Sequence, residues 1–214
     1  DRYDLLNRVN ALGMDKSWRR AMVRALDVRP HHKVLDLATG TGDVLAEVAK
    51  VAPQAELTGL DPSPRMLDKA REKFNLPIRW MEGEGENMPF EDGTFDRATM
   101  AFGIRNCKDR PQALRELRRV LRPDGRLAIL ELSEPDTGVL APLARLHVKH
   151  IVPRVGAAVL RSTEYEYLRR SIEAFPPPEE FGEIIEQAGF RYPTIHRFVM
   201  GACVLYVADC KETS

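Results

Sequence analysis

The feature that most constrains this chain is an alternation. Short Leu-, Val- and Ile-rich runs are followed by stretches whose apolar residues recur at helical spacing, and the first such pair is joined by a turn with two glycines. Lys33–Thr39 reads as a buried strand, Asp36-Leu-Ala-Thr-Gly-Thr-Gly-Asp43 turns the chain, and Asp43–Val51 reads as an amphipathic helix. Runs of this kind, repeated, stack into a doubly wound α/β sheet. Further strands are read over Glu56–Asp61, Ile78–Glu82, Phe95–Phe102 and Arg126–Leu132. Pro64 opens a helix over Pro64–Phe74, where a missing N–H costs nothing. Asp109 is placed to cap a helix over Pro111–Leu121, which Arg-Pro-Asp-Gly at 122–125 ends. A last helix, Pro178–Ala188, stops at Gly189, and Phe190–Phe198 and Ala202–Ala208 read as two terminal strands close enough to pair antiparallel. The expected fold is therefore α/β, with seven strands, mostly parallel, antiparallel at the C-terminal end, and a helical cap read over residues 1–30.

A chain of 214 residues suits one domain, here 1–214, with an ample core. With 43% hydrophobic and 30% charged residues, the composition excludes a disordered chain. The 32 basic residues balance 32 acidic ones, which argues against a nucleic-acid partner. Cys107, Cys203 and Cys210 form no CxxC pair and are odd in number, so a reduced, cytoplasmic setting is expected. His147 and His150 stand three apart without further ligands nearby, and no metal is expected.

The glycine turn carries the first chemical information. Gly40 and Gly42 let the backbone approach a ligand at the start of a helix. A dinucleotide fingerprint would place a third glycine where this chain has Leu45, and Asp36 and Asp43 would repel a pyrophosphate. This disfavours an NAD-linked oxidoreductase; a cationic ligand without phosphates fits better. Asp61, at the end of the second strand, is suited to accept from both hydroxyls of a ribose. Glu84 and Gly85, just past the third strand, can meet an adenine, one through its carboxylate and the other through its backbone N–H.

On these residues the chain resembles the class I S-adenosylmethionine (SAM) methyltransferases, whose fold is Rossmann-like. More narrowly, it is similar to the ubiquinone/menaquinone-biosynthesis C-methyltransferases. Tyr3-Asp-Leu-Leu-Asn7, Trp18-Arg19-Arg20, the glycine turn and Gly83-Glu-Gly-Glu-Asn-Met-Pro-Phe90 carry the likeness in the first half. Ala101-Phe-Gly-Ile-Arg-Asn106, Val120-Leu-Arg-Pro-Asp-Gly-Arg126, Tyr165-Glu-Tyr-Leu168, Ser171-Ile172 and Ala188-Gly-Phe190 continue it. The glycine turn marks the superfamily, whereas Phe102–Asn106 and the Tyr-x-Tyr-Leu segment are specific to the family. The resemblance implies SAM as cofactor, with Thr41 in contact, Asp61 on the ribose, Glu84 and Gly85 at the adenine, and Ala101 beside the methionine. Two departures stand out. Glu84-Gly85 replaces the usual Asp or Asn with Ala, and Arg169-Arg170 replaces the usual Pro-Glu or Ala-Glu near the substrate entrance.

The reaction it implies is C-methylation of a demethylated polyprenyl quinol, demethylmenaquinol before the benzoquinol precursor of ubiquinone. Another small aromatic acceptor, or a non-catalytic SAM-binding assembly subunit, are the rival readings. Arg105 is expected to stabilise a quinolate oxygen or orient a base water, Asn106 to fix the ring, and Tyr167 to bring a hydroxyl to it; Tyr3 and Tyr165 are further candidate walls. Residues 139–175 form the expected substrate-side helical insertion. Within it, Val139–Arg161 carries Arg145, Lys149, Arg154 and Arg161 and no acid, which suits an amphipathic segment against anionic lipid. Peripheral contact with the inner face of the membrane, and a second copy of the chain as a homodimer partner, complete the expected partners.

Overall fold

A computed structural model describes residues 15–134 and 162–211, with the side chains of 162–165 left aside. Tyr3, His147, His150 and the Val139–Arg161 segment lie outside these residues, as does the Tyr165 side chain. In chain order the elements are α1 (Asp15–Ala25), β1 (Lys33–Leu37), α2 (Asp43–Val51), β2 (Glu56–Asp61), α3 (Pro64–Lys73), β3 (Ile78–Glu82) and β4 (Phe95–Ala101). There follow α4 (Arg110–Val120), β5 (Leu121–Leu132), α5 (Ser162–Glu173), α6 (Pro178–Gln187), β6 (Thr194–Phe198) and β7 (Cys203–Asp209).

The seven strands form one sheet in the order β3-β2-β1-β4-β5-β7-β6. β1 to β5 run parallel, and β7 lies antiparallel between β5 and β6. Successive side chains of a strand point to opposite faces, and both faces are buried here. Leu35, Leu127, Ile129 and Tyr206 pack beneath α4 and α6, with Leu114, Leu117, Phe181 and Ile185. Val34, Ala128 and Leu130 pack on the other face with Trp18 and Met22 of α1 and Leu45 and Val48 of α2. This double burial explains why the parallel strands read as continuous apolar runs rather than alternating ones.

The boundaries differ from the pattern in informative places. β1 stops at Leu37 because Ala38 turns left-handed (φ +53°), and β4 stops at Ala101 because Phe102 does the same (φ +58°). Asp109 accepts from the Gln112 N–H at 2.9 Å and caps α4 as expected. The Arg-Pro-Asp-Gly segment does not end in a simple turn. Phe95 pairs with Leu121 and Arg97 with Arg126, so residues 122–125 loop out of an otherwise paired β5. The strand before Phe198 starts only at Thr194, after Pro193, which lacks the N–H a ladder needs; Phe190 keeps a single bridge to Cys210.

α1 is tied to the sheet at its C-terminal end. Its unpaired carbonyls take arginine donors: Arg97 Nε donates to the Leu26 carbonyl at 2.9 Å, and Arg126 Nη1 to that of Ala25 at 3.2 Å. Trp18 stacks on Phe198 at 6.2 Å between ring centroids. The helix is thereby held over the sheet with its first turns near the carboxyl edge of β1 and β4.

Candidate active site

The strand order reverses between β1 and β4, and open α/β sheets bind ligands at such a reversal. A cavity of about 340 Å³ opens there, along the carboxyl ends of β1, β2, β3 and β4. Ala38 and Phe102, the two left-handed residues, lie on its floor, and a Cβ on Gly103 would come within 2.7 Å of the Ala38 Cβ. The two chains leave their strands in contact at this point, and the crevice opens above them.

All eight residues assigned to the cofactor line this cavity except Gly42, which forms its turn from behind. Gly42 is left-handed (φ +81°), and a Cβ there would lie 2.5 Å from the Trp80 ring, which also fills the notch over Gly59. The turn is a glycine for two reasons, then: backbone conformation and the indole behind it. Trp80 was not among the expected site residues. A glycine at position 59 inside a strand was the available signal.

Asp61 is buried, and each of its oxygens already accepts one backbone N–H: Oδ2 from Gly40 at 2.8 Å and Oδ1 from Ser63 at 2.9 Å. A carboxylate has about four acceptor sites, so two remain for a ribose diol. The Gly40 N–H, committed to Asp61, cannot serve a pyrophosphate. Asp43 and Thr41 form a cluster with Lys73, whose ammonium donates to Asp43 at 2.7 Å and to Thr41 Oγ1 at 3.2 Å. Burial opposes the Asp43 charge, but the Lys73 hydrogen bond and the Arg19 field override it and hold its pKa below the usual range. Asp36 is fully enclosed, accepting from Thr39 Oγ1 and Thr99 Oγ1, each at 2.7 Å. Burial pushes its pKa up to about 7 in spite of both hydroxyls.

The loop carrying Glu84 and Gly85 is fastened to α4. Glu86 accepts from the backbone N–H of Lys108 at 2.9 Å, Glu116 from that of Met88 at 2.8 Å, and Arg119 donates to the carbonyls of Met88 and Phe90. Gly85 backs onto Leu37, where a Cβ would stand 3.1 Å from a methyl group. The position expected to take adenine is thus a narrow slot with the exposed Glu84 carboxylate at its rim. Taken from β3 to β4, the edge offers a slot for a base, a carboxylate for a diol and an acidic region about Asp36. These are fitting partners for SAM: adenine, ribose and a cationic methionine end.

Of the three residues expected in catalysis, two meet at this edge and one does not. Asn106 lines the cavity from a 3-10 turn (Ile104–Asn106) after β4. Tyr167, on α5, is 60% exposed and its hydroxyl donates to Asn106 Oδ1 at 3.2 Å. Arg105 lies elsewhere. Its side chain is buried behind the cavity wall, paired with Glu131 of β5 (each 1% exposed) and donating to the Phe102 carbonyl at 3.1 Å. Arg105 is therefore not among the residues that line the cavity, whereas its neighbour Asn106 is. Glu131, which completes the pair and also accepts from the Arg105 and Leu132 backbone N–H groups, was not expected. Cys107 also borders the cavity, and burial together with Glu86 pushes its thiol up to about 12, so it is no nucleophile at neutral pH. Arg169 and Arg170 are matched on their own helix by Glu166 and Glu173, which offsets the positive charge expected at the entrance.

Residues 1–209 match the model of the ubiE/COQ5 methyltransferase family. The chain belongs to this family. Its methyl donor is SAM, which the residues along the edge fit. A demethylmenaquinone methyltransferase of Deinococcus radiodurans is 45% identical over 97% of this chain and 88% of that protein. A ubiquinone/menaquinone biosynthesis C-methyltransferase UbiE of Syntrophotalea carbinolica is 43% identical over 99% of this chain and 90% of the other. Among solved structures, a SAM-dependent methyltransferase of Aquifex aeolicus superposes with a TM-score of 0.63 at 23% identity, covering 90% of this chain and 89% of that one. This last likeness is one of fold, and it agrees with the sheet described above. The family also removes the NAD-linked and non-catalytic readings: the methyltransferase is an enzyme.

Proposed function

We propose that this methyltransferase C-methylates a demethylated polyprenyl quinol, demethylmenaquinol in preference to the benzoquinol precursor of ubiquinone. The observation that carries this reading is the meeting of Asn106 and Tyr167. The two most family-specific segments, 61 residues apart, come together where the cofactor cavity opens to solvent. The names borne by the similar proteins of Deinococcus radiodurans and Syntrophotalea carbinolica support the quinol as acceptor.

Bound SAM supplies an electrophilic methyl group on a sulfonium. The chain must hold an electron-rich ring carbon against it in near-attack alignment and keep competing nucleophiles away. The Asn106 amide can bond a ring hydroxyl while the Tyr167 hydroxyl fixes the orientation of that amide. Arg105 contributes at one remove. Its pairing with Glu131 and the Phe102 carbonyl fixes the turn on which Asn106 stands, making it a positioning residue. The ring proton lost after transfer can pass to water, and the Cys107 thiol beside the site, held protonated, is not its acceptor. An oxidised quinone ring lacks the hydroxyls that make the carbon nucleophilic, so the reduced form is the substrate. Among the described residues no helix is long and apolar enough to cross a membrane. We place the enzyme on the cytoplasmic side, with the cationic 139–161 segment against anionic lipid, from which the quinol tail emerges.

Incubation with methyl-labelled SAM and each reduced quinol, followed by mass spectrometry, tests this. Label should appear in the demethylmenaquinol product and not when the oxidised quinone is supplied. Intact SAM binding with no transfer to either quinol would overturn the substrate.

A further inference from the structure

The charges lining the cavity are unevenly placed. Asp61, Glu84 and Glu86 stand toward β2 and β3, Asp36 and Asp43 toward β1, and two cations, Arg19 and Lys108, complete the described lining. Lys108 follows the Asn106 turn, and its backbone N–H is held by Glu86, on the adenine side. Arg19 is therefore the cation at the opposite, methionine end, close enough to Asp36 and Asp43 for its field to lower both carboxyl pKa values.

A bound SAM brings to that end an α-carboxylate as well as an ammonium and a sulfonium. Asp36 and Asp43 suit the cations and would repel the carboxylate. We infer that Arg19 anchors the α-carboxylate of SAM, so that helix α1 supplies one wall of the cofactor site. This rests on the assignment of the cavity to SAM and adds a residue to it.

The guanidinium is set for that task by its surroundings. Nη1 donates to the buried Asp15 at 2.8 Å, one turn back on the same helix. Its carbon lies 5.9 Å from the centroid of the Phe102 ring, the left-handed residue on the cavity floor. Asp15 and Phe102 hold the side chain in place, and a guanidinium has five N–H donors in a planar fork, more than Asp15 uses. The arginine bonds from Arg97 and Arg126 to the other end of α1 keep the helix itself from sliding.

Calorimetric titration of wild type, Arg19→Ala and Arg19→Lys with SAM and with decarboxylated SAM tests the inference without reference to the quinol. Wild type should favour SAM over the decarboxylated form. Arg19→Ala should weaken SAM by about 10- to 100-fold, the range for a charge-assisted bond. It should leave decarboxylated SAM unchanged or slightly tighter, and Arg19→Lys should recover part of the SAM affinity. Equal losses for both ligands, or no loss for either, would overturn it. Thermal melting of each variant identifies a folding defect, in which case the wild-type preference between the two ligands, read against Arg19→Lys alone, decides. Failure of wild type to bind SAM at all would instead overturn the assignment of the cavity.

Discussion

Asp36 shows how one enclosed carboxyl links the fold to the cavity. In the unfolded chain it ionises near 3.8, whereas in the folded protein burial raises this to about 7. Between those values the folded state holds a proton that the unfolded state has lost. The contribution of Asp36 to stability is therefore fully present below about pH 4 and declines as pH rises toward 7. Asp36→Asn carries no charge and escapes the decline. Its melting temperature, relative to wild type, should climb by on the order of 5 °C between pH 4 and pH 7.5 and then level off. A difference that stays flat across this range would show that Asp36 is not held protonated. A buried acid that weakens the fold at neutral pH is reasonable where a cation is to be met, because the cation restores the charged form. The residue was legible as an acid beside a glycine turn. Its environment was not, since Thr99 comes from β4, 63 residues away.

At the scale of elements, the deciding contacts join neighbours in space that are remote in sequence. The Asn106 turn is held from β5 through Glu131, and the loop that carries Glu84 and Gly85 from α4 through Glu116 and Arg119. Removing one partner of an enclosed ion pair leaves the other charge buried. Glu131→Ala should cost about 3–5 kcal/mol in urea unfolding, and Arg105→Met with Glu131→Leu should cost less than the two single changes summed. Additive losses would show that the pair is not coupled. The periodic elements themselves were legible almost residue for residue; α2, β2 and β3 coincide with their sequence patterns. Misplaced boundaries fall where tertiary contacts override local preference, at Ala38, at Phe102 and along the 122–125 excursion.

For the whole molecule, a neutral total of charge conceals an uneven distribution. Residues 82–96 hold six acids and no base, whereas 139–161 hold four bases and no acid. The enzyme should sediment with vesicles containing anionic lipid at low salt, leave them as salt is raised, and ignore neutral vesicles. Replacing Arg145, Lys149, Arg154 and Arg161 by Gln should abolish this, and absence from anionic vesicles at every salt concentration would rule it out. By itself the sequence determined the order of strands and helices, the glycine turn and the acids at the strand ends. Each of these is encoded in side-chain spacing or backbone preference over a few residues. Only the tertiary structure decided that Arg105 turns inward to Glu131, that Trp80 fills the space behind Gly42, and that Arg19 faces the cavity. Those outcomes depend on which side chains the sheet brings together from distant parts of the chain, and local pattern carries no information about such distances.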